Sequence, residues 1–231
     1  MNMQVRGLSK LYNQRDRTYG LRPISFTVEP GEMIAIVGHN GAGKSTLLKM
    51  LANWIRPDSG QMTLGGISLE NRALLINQMG FVPEVPNLFE FFSIEYNFNL
   101  FASLFRLPRS RVEEILNELN LMDFRRHKVS TLSKGLKQRT SIGRALIANP
   151  PILLFDEPTS GLDFEMTQEI YGMLRKMHAD RKTILFTSHR PEEIKSLATR
   201  IMVLHQGSLV FDGSPEKYFK SDTHTSLYTY L

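Results

Sequence analysis

The chain has 231 residues, of which 42% are hydrophobic and 22% charged, so a packed core is expected and a fully disordered or collagen-like chain is excluded. The absence of cysteine excludes a disulfide scaffold, a thiolate zinc site and a cysteine nucleophile. The formal net charge of +5 is compatible with acidic lipid, nucleic acid or nucleotide as a partner and selects none of them.

The first 82 residues are predicted to form short strands and one helix. Met33–Val37 is a continuous apolar run, as expected for a strand that is buried on both faces. It leads into a Gly-rich turn and then into a helical stretch, Ser45–Asn53, which is stopped by Pro57.

The pattern changes between about Glu84 and Asn149, where strand-like runs are absent and segments such as Ser110–Leu121 place apolar residues at helical spacing. Residues 152–213 return to strands that alternate with helices. The apolar runs there are Ile152–Phe155, Thr183–Phe186 and Ile201–Leu204. Such alternation predicts a largely parallel sheet wrapped by helices. We therefore predict an α/β core that is interrupted by a helical insertion.

The turn after the first buried strand fits the pattern G-x-x-x-x-G-K-[ST], with the residues Gly38, His39, Asn40, Gly41, Ala42, Gly43, Lys44 and Ser45. Glycines let backbone N–H groups turn toward an oxyanion, and the N-terminus of the following helix adds its dipole. Lys44 is expected to reach the β- and γ-phosphates of a nucleotide, and the Ser45 hydroxyl to ligate Mg²⁺. The alternative is an ordinary Gly-rich turn, but the position between a buried strand and a helix favours a phosphate-binding loop.

A second candidate site follows the apolar run Ile152–Phe155, where two carboxylates stand side by side. Asp156 is expected to hold Mg²⁺ through water, and Glu157 to polarise an attacking water. Two acids after a buried strand are, taken alone, more often a solvated strand end. About a hundred residues after a phosphate loop, they are instead interpreted as its Mg²⁺ partner.

A third segment, Leu132–Arg139, opens a helix that is predicted to run to about Ala148. Taken alone, it is a capped helix start with Ser133 as the N-cap.

Taken together in chain order, the three motifs resemble the nucleotide-binding subunit of ATP-binding cassette (ABC) transporters, from about Val5 to Phe219. The resemblance implies a single ABC ATPase domain over residues 1–231, with a P-loop NTPase core and a mostly parallel sheet. It also implies an N-terminal antiparallel β region and a helical subdomain inserted at about 85–150 in the RecA-like core.

The resemblance also assigns roles to individual residues. Leu132–Arg139 takes the place of the family's signature sequence, Ser160–Asp163 that of its D-loop, and His189 that of its switch histidine. Glu157 and His189 are then the catalytic residues. ATP is expected to bind Tyr12, Gly38, His39, Asn40, Gly41, Ala42, Gly43, Lys44, Ser45, Thr46, Ser133, Lys134 and Gly135. Mg²⁺ is expected to bind Ser45, Glu84 and Asp156.

The adenine contact has two candidates. Tyr12 lies where the family places an aromatic residue that stacks on the base. Tyr19 is an alternative, because residues 13–20 look like a small insertion.

Two departures from the family pattern are informative. Glu84 replaces the family's glutamine at the junction with the helical insertion, and the signature carries Lys134 and Leu136 where many family members have a second glycine and another residue. Both departures resemble the branch that powers ABC-2 type exporters.

The resemblance implies that two copies pair head to tail around ATP and act on a separate transmembrane permease. The resemblance also implies a peripheral location on the cytoplasmic face of the inner membrane. No run of 18 apolar residues occurs, and Met1–Lys10 lacks the apolar core of a signal peptide, which fits this expectation. Two other classes of ABC-type protein fit the sequence less well. ABC-type proteins that act on nucleic acid or ribosomes usually carry a long coiled coil or two cassettes, and neither is present. A regulator without turnover is expected to lack Glu157 or His189. We therefore expect no nucleic-acid partner.

Seven aromatic residues lie within the stretch from Phe89 to Phe105: Phe89, Phe91, Phe92, Tyr96, Phe98, Phe101 and Phe105. Most are expected in the core of the helical insertion. One helix offers a single apolar stripe, however, so two or more are predicted to be exposed near Glu84, where a membrane partner would dock.

Overall fold

The computed structural model describes residues 1–14, 17–68, 70–75 and 77–220, without the side chains of residues 14, 17, 18, 72 and 73. The strands are β1 (Met3–Gln14), β2 (Arg17–Val28), β3 (Met33–Val37), β4 (Ser59–Leu64), β5 (Ile67–Ser68), β6 (Met79–Val82), β7 (Ile152–Phe155), β8 (Thr183–Ser188), β9 (Arg200–His205) and β10 (Ser208–Gly213). The helices are α1 (Lys44–Leu51), α2 (Arg72–Leu75), α3 (Ile94–Leu104), α4 (Arg109–Glu118), α5 (Lys134–Leu146), α6 (Phe164–Ala179), α7 (Pro191–Leu197) and α8 (Pro215–Lys220).

The strands form two sheets, which confirms the predicted α/β class with an antiparallel N-terminal region. The larger sheet has the order β10-β9-β3-β8-β7-β6, and its neighbours are parallel except for the antiparallel pair β9 and β10. The smaller sheet has the order β2-β1-β4-β5 and is antiparallel. The predicted runs Met33–Val37 and Ile152–Phe155 coincide with β3 and β7.

The larger sheet separates two hydrophobic clusters. Ile34 and Ile36 of β3 face a cluster that contains residues of α1 and of the antiparallel sheet. Met33, Ala35 and Val37 face the other cluster, which is built largely by α3, α4, α5 and α6. Because successive side chains of a strand point to opposite faces, a strand covered on both sides must be apolar at every position. The unbroken apolar run of β3 follows from this.

Three helices lie between β6 and β7, in the stretch where the sequence predicts helices only. They pack on one another through the buried side chains of Phe98 in α3 and Ile115 in α4, and through Gly143 in α5. Short 3₁₀ turns at Met122–Phe124 and Val129–Thr131 connect α4 to α5.

The prediction of short strands at the N-terminus is wrong for β1 and β2, which have 12 residues each. They form one long hairpin in which Tyr12 lies opposite Tyr19 and Gln14 opposite Arg17. The described part of the proposed insertion at residues 13–20 therefore extends this hairpin. The short helix α2 was not predicted.

None of the helices in the described part of the chain combines the length and the apolar character that a membrane-spanning helix needs.

Gly143 allows a stability test of the helical packing. A Cβ atom at this position would collide with Phe98 and lie 2.9 Å from Leu119 Cδ1. We expect Gly143→Ala to lower the free energy of unfolding by about 1 kcal/mol or more, because overpacking a filled core is costly. Thermal or urea unfolding measures the change.

Gly172 in α6 provides the matched control. It is a helical glycine with open space around its missing Cβ. Gly172→Ala should therefore stabilise the chain by about 0.5–1 kcal/mol through the helix propensity of alanine. Equal effects of the two substitutions would contradict the packing at Gly143.

Candidate active site

The parallel order of the central strands brings three chain segments to one edge of the sheet. Val37 at the end of β3 lies beside Ser188 of β8, and Phe155 at the end of β7 lies beside Phe186 of β8. The loop 38–43, the pair Asp156-Glu157 and the segment 187–189 therefore meet at the carboxyl ends of these strands. Open parallel sheets place their ligand sites at this edge.

The loop between β3 and α1 needs glycine for its shape. Gly41 and Gly43 have φ angles of 84° and 102°, in the region that side chains rarely adopt. A Cβ at Gly38 would collide with the carbonyl oxygen of Leu204, so the loop lies directly on the end of β9. The backbone N–H of Gly207 also donates to the Ala42 carbonyl at 3.2 Å. The end of β9 and the turn after it therefore contact and support the loop 38–43.

Lys44 is the first residue of α1, and only 7% of it is exposed. Its Nζ donates to the carbonyl oxygens of Gly38 at 2.6 Å and His39 at 3.2 Å. Burial lowers the pKa of this ammonium, and the nearby carboxylates of Glu157, Asp156 and Glu84 oppose that shift. The loop therefore encloses a cation whose direct ligands are neutral carbonyls, a suitable arrangement for accepting a phosphate oxygen.

A hydroxyl–carboxylate group lies beside the loop. Ser45 Oγ donates to Asp156 Oδ1 at 3.0 Å, and Thr187 Oγ1 donates to the same oxygen at 2.8 Å. Asp156 is buried, so these two hydrogen bonds compensate for part of its lost hydration. The result is a compact set of oxygen atoms at the N-terminus of α1.

Glu157 follows Asp156 with a φ angle of 48°, which is uncommon for a residue with a side chain. Its backbone N–H donates to Thr187 Oγ1 at 2.8 Å. Its carboxylate oxygens lie 3.0 and 3.2 Å from His189 Nδ1. The glutamate side chain is 12% exposed and the histidine side chain 55%. This is a carboxylate–imidazole pair at the surface, and such a pair can accept a proton from a water molecule.

Glu84 lies at the same edge, where it is exposed after β6. The Ser160 hydroxyl donates to Glu84 Oε1 at 3.4 Å. Glu84 therefore contacts the loop after Glu157, and its charge also acts on Lys44.

The signature segment contacts the chain that follows Glu157. Ser133 is the N-cap of α5, and its Oγ accepts from the Leu136 N–H at 3.3 Å. Met166 of α6 leaves no room for a Cβ at Gly135, and the Lys134 ammonium lies against Gly161. The N-terminus of α5 is thus packed on the loop 160–163 and on the start of α6.

Tyr12 and Tyr19 are both part of one aromatic surface on the β1–β2 hairpin. Their rings stack with centroids 5.4 Å apart. The next residues of β2, Gly20 and Leu21, pack against the phosphate loop, because a Cβ at Gly43 would lie 3.1 Å from Leu21 Cδ1 and 3.4 Å from the Gly20 carbonyl oxygen. The hairpin therefore borders the loop.

Three further residues around Glu157 were missed by the sequence analysis. Gln138 Nε2 donates to the Pro158 carbonyl at 2.8 Å, and Thr159 Oγ1 donates to Glu193 Oε1 at 2.9 Å. Gln138 lies within the segment Leu132–Arg139, but the sequence pattern assigned no role to this residue. Glu193 gave no signal, because an acidic residue in the first turn of a helix is ordinary.

Comparison with known proteins identifies the family. The sequence model of the family described as "ABC transporter" matches residues 21–160. The chain belongs to the ABC transporter family. It is an ATP-binding subunit and an ATPase, and most of the candidate site described above lies within the matched residues, whereas residues 187–189 lie outside them.

Curated relatives of this ABC ATPase span more than one transport direction. It is 33% identical over 214 residues to the ABC transporter ATP-binding protein NatA of Bacillus subtilis. These 214 residues cover 90% of this chain and 87% of that protein. It is 37% identical to the Nod factor export ATP-binding protein I of Rhizobium meliloti, over 86% of this chain and 62% of that protein. It is 36% identical to the methionine import ATP-binding protein MetN of Corynebacterium efficiens, over 96% of this chain and 66% of that protein.

Solved structures agree with the fold. The ABC ATPase resembles a dimeric ATP-binding cassette in a post-hydrolysis state bound to ADP and phosphate, with a TM-score of 0.83 and 27% identity. The similarity covers 92% of this chain and 98% of that one. A second dimeric structure, of a bacterial ABC transporter cassette, matches equally well.

Proposed function

We propose that this ABC ATPase works as a head-to-tail pair that closes on ATP and thereby drives a separate membrane subunit of an exporter. In this proposal residues 1–231 act as one ABC ATPase domain, with the helical unit at about 85–150 as an insertion. The observation that carries the proposal is the convergence of Lys44, the Ser45–Asp156 pair and the Glu157–His189 pair at one edge of the sheet.

The proposed mechanism assigns the proton to Glu157. One of its carboxylate oxygens accepts the proton of a water molecule as that water attacks the γ-phosphorus. The bond from the γ-phosphorus to the oxygen that bridges the β- and γ-phosphates breaks, and ADP leaves. His189 faces the glutamate through Nδ1, so its contact with the γ-phosphate falls to Nε2. Lys44 compensates the charge on the β- and γ-phosphates, as do the N–H groups of the glycine loop and the start of α1. Positioning therefore contributes more than covalent chemistry.

The oxygen set at Ser45 and Asp156 fits Mg²⁺. A hydroxyl and a carboxylate oxygen only 3.0 Å apart are hard ligands, and Mg²⁺ in nucleotide sites is held by one or two such groups together with phosphates and water. When bound, the ion would neutralise charge that develops on the phosphates. We propose that the Ser45 hydroxyl would ligate the ion and that Asp156 would hold it through water. Glu84 has its contact with Ser160 and is proposed to order the surrounding water.

The position of Ser133 supports the proposed head-to-tail pairing of two copies of the chain. The first N–H groups of a helix have no partner within the helix, so the N-terminus of α5 can bind an anion. Ser133 is exposed there, while the Lys134 ammonium lies against Gly161 and Gly135 lies against Met166 of α6. The dimeric cassettes that resemble this chain support a second copy as the source of the anion. We propose that Ser133, Lys134 and Gly135 of one copy bind the γ-phosphate held by Lys44 of the other.

We further propose that the stacked pair of Tyr12 and Tyr19 receives the adenine ring. The pair borders the phosphate loop through Gly20 and Leu21, which lie against Gly43. Aromatic faces bind a flat base by stacking.

The exporter assignment rests on the signature and on Glu84. Lys134, Leu136 and Glu84 are the variants that resemble ABC-2 type exporters. Similarity to a Nod factor export protein supports this direction, while similarity to a methionine import protein shows that overall identity alone does not decide it. The proposed location is the cytoplasmic face of the inner membrane, through the membrane subunit, and no nucleic-acid partner is proposed.

The membrane subunit is proposed to dock where the helical insertion meets the core. A groove of about 800 Å³ lies there, lined among others by Trp54, Phe81, Phe101 and Phe105. Four of the seven aromatic residues between positions 89 and 105 are exposed, which confirms the prediction of two or more: Phe89, Phe91, Phe92 and Tyr96. Phe98 is buried in the core. The proposed interface comprises this groove, which a short helix of the membrane subunit would occupy, and the four exposed aromatic residues.

Glu157→Gln tests the catalytic assignment. The amide keeps the shape and loses the base, so we expect turnover to fall by at least about 100-fold while the fold and ATP binding remain. ATP should then accumulate in the closed pair. Size-exclusion chromatography with MgATP should show a dimer of the variant, and phosphate release should be nearly absent.

The matched control is Glu113→Gln, which changes an exposed glutamate of α4 far from the sheet edge. It should hydrolyse ATP like the parent and form no trapped dimer. A Glu157→Gln chain that stays monomeric and still hydrolyses ATP would mean that Glu157 is not the base.

Phe91→Ser tests the docking surface. Phe91 is 84% exposed, so its replacement should spare folding and ATP binding. We expect loss of co-purification with the membrane protein encoded by the neighbouring reading frame, because an aromatic anchor is removed from the interface. Val210→Ser, at an exposed position of β10, is the control. Retained co-purification of the Phe91 variant would remove this surface from the interface.

A further inference from the structure

A buried carboxyl group lies beside the proposed catalytic residues without a role in the mechanism. Glu193 is in the first turn of α7 and is 0% exposed. An acidic residue at this position usually faces water and interacts with the helix dipole. Burial raises the pKa of Glu193, and the hydroxyl groups of Ser188 and Thr159 oppose that shift.

The burial of Glu193 is costly for the fold. A methionine or leucine would fill a similar volume without desolvating a carboxyl group, and such replacements of buried charged groups are often neutral or stabilising. Stability alone therefore gives no reason for a carboxyl group at this place. A polar group that is buried next to a reactive site is a candidate for function.

Glu193 holds the turn that carries Glu157. Its Oε1 accepts the hydrogen bond of Thr159 Oγ1 at 2.9 Å, and Thr159 is 1% exposed. Thr159 is two residues after Glu157, and the Ser160 N–H closes the turn on the Glu157 carbonyl at 3.1 Å. The same turn leads into the loop that touches Lys134.

Three residues of this turn are each held by a side chain from a different element. Thr187 of β8 accepts from the Glu157 N–H, Gln138 of α5 donates to the Pro158 carbonyl, and Glu193 of α7 accepts from Thr159. Glu157 has a positive φ angle, a conformation that persists only where the surroundings enforce it.

We propose that Glu193 is a positioning residue for Glu157. By accepting the hydrogen bond of Thr159, it fixes the turn 157–160 and so keeps the glutamate carboxylate beside His189 at the edge of the sheet. The inference rests on the proposed role of Glu157 as the base. Glu193 itself is buried and touches no substrate, so its effect is on the rate of hydrolysis and not on ATP affinity.

The test is the double variant Thr159→Val/Glu193→Met. Replacing both partners of a buried hydrogen bond by apolar groups of similar shape costs the fold little, and the contact that Thr159 Oγ1 also accepts from Arg190 is long, at 3.4 Å. Tm should therefore stay close to that of the parent. Misplacement of a reacting group by about 1 Å can cost about 100-fold in rate. We expect kcat to fall at least about tenfold while KM for ATP changes less than about threefold.

Glu193→Gln is the rescue variant, because its amide oxygen can still accept from Thr159. It should keep kcat within about threefold of the parent. Thr183→Val is the control for the loss of a buried hydroxyl, at the opposite end of β8 where Thr183 accepts from the Gly31 N–H at 2.9 Å. It should lower Tm and leave kcat unchanged.

Two results would overturn the inference. One is a double variant with the kcat of the parent. The other is a double variant in which kcat and Tm fall together, combined with a Glu193→Gln variant in which kcat also falls. That pair of results would make the role of Glu193 structural. Glu157→Gln separates this failure from that of the proposed function. If Glu157→Gln is inactive and the double variant is not, only the role of Glu193 is wrong.

Discussion

The burial of one ammonium group at the carboxyl edge of the central sheet is the constraint on which the site depends. Lys44 is almost fully covered, yet its direct ligands are two neutral carbonyl oxygens. Burial disfavours its charge, and the carboxylates of Glu157, Asp156 and Glu84 favour it. In the proposed mechanism, a phosphate group of ATP supplies the anion that such a cation lacks. The glycine loop, the parallel strands and the start of α1 all position this cation.

The parallel strand order also determines which groups can act together. Because β3, β7 and β8 end side by side, the acids after β7 and the segment after β8 lie at the phosphate loop without any long connection. Thr187 links the two acidic residues, because its one hydroxyl donates to the Asp156 carboxylate and accepts from the Glu157 N–H. The helices α5 and α7 then hold the turn after Glu157 from both sides.

The central part of the fold was predictable because it follows from local patterns. Strands buried on both faces are apolar at every position, so β3 and β7 could be placed to the residue. The helical stretch between β6 and β7 was predictable from its spacing. The length of the β1–β2 hairpin was not, because the pairing of Tyr12 with Tyr19 depends on a partner strand and not on local composition.

The candidate site was predictable where a motif fixes both residue type and spacing, as at Lys44, Asp156 and Glu157. Contacts between distant segments left no such signal. The family resemblance predicts that Lys134 contacts a phosphate. In the structure of the single chain, the Lys134 ammonium instead lies against Gly161. Glu193 looks like an ordinary helix-terminal acid, and only the packing of α7 against the turn at Thr159 reveals its burial.

Mixing two inactive variants tests the composite site most directly. Chains with Lys44→Ala lose the phosphate loop, and chains with Ser133→Arg lose the signature contact, so each alone should fail to hydrolyse ATP. In mixed head-to-tail dimers one of the two sites is intact, and random pairing should restore about a quarter of the parent activity. Lys49→Ala, on the same helix as Lys44, should be active alone. Mixed dimers that form and still fail to hydrolyse ATP would contradict the shared site.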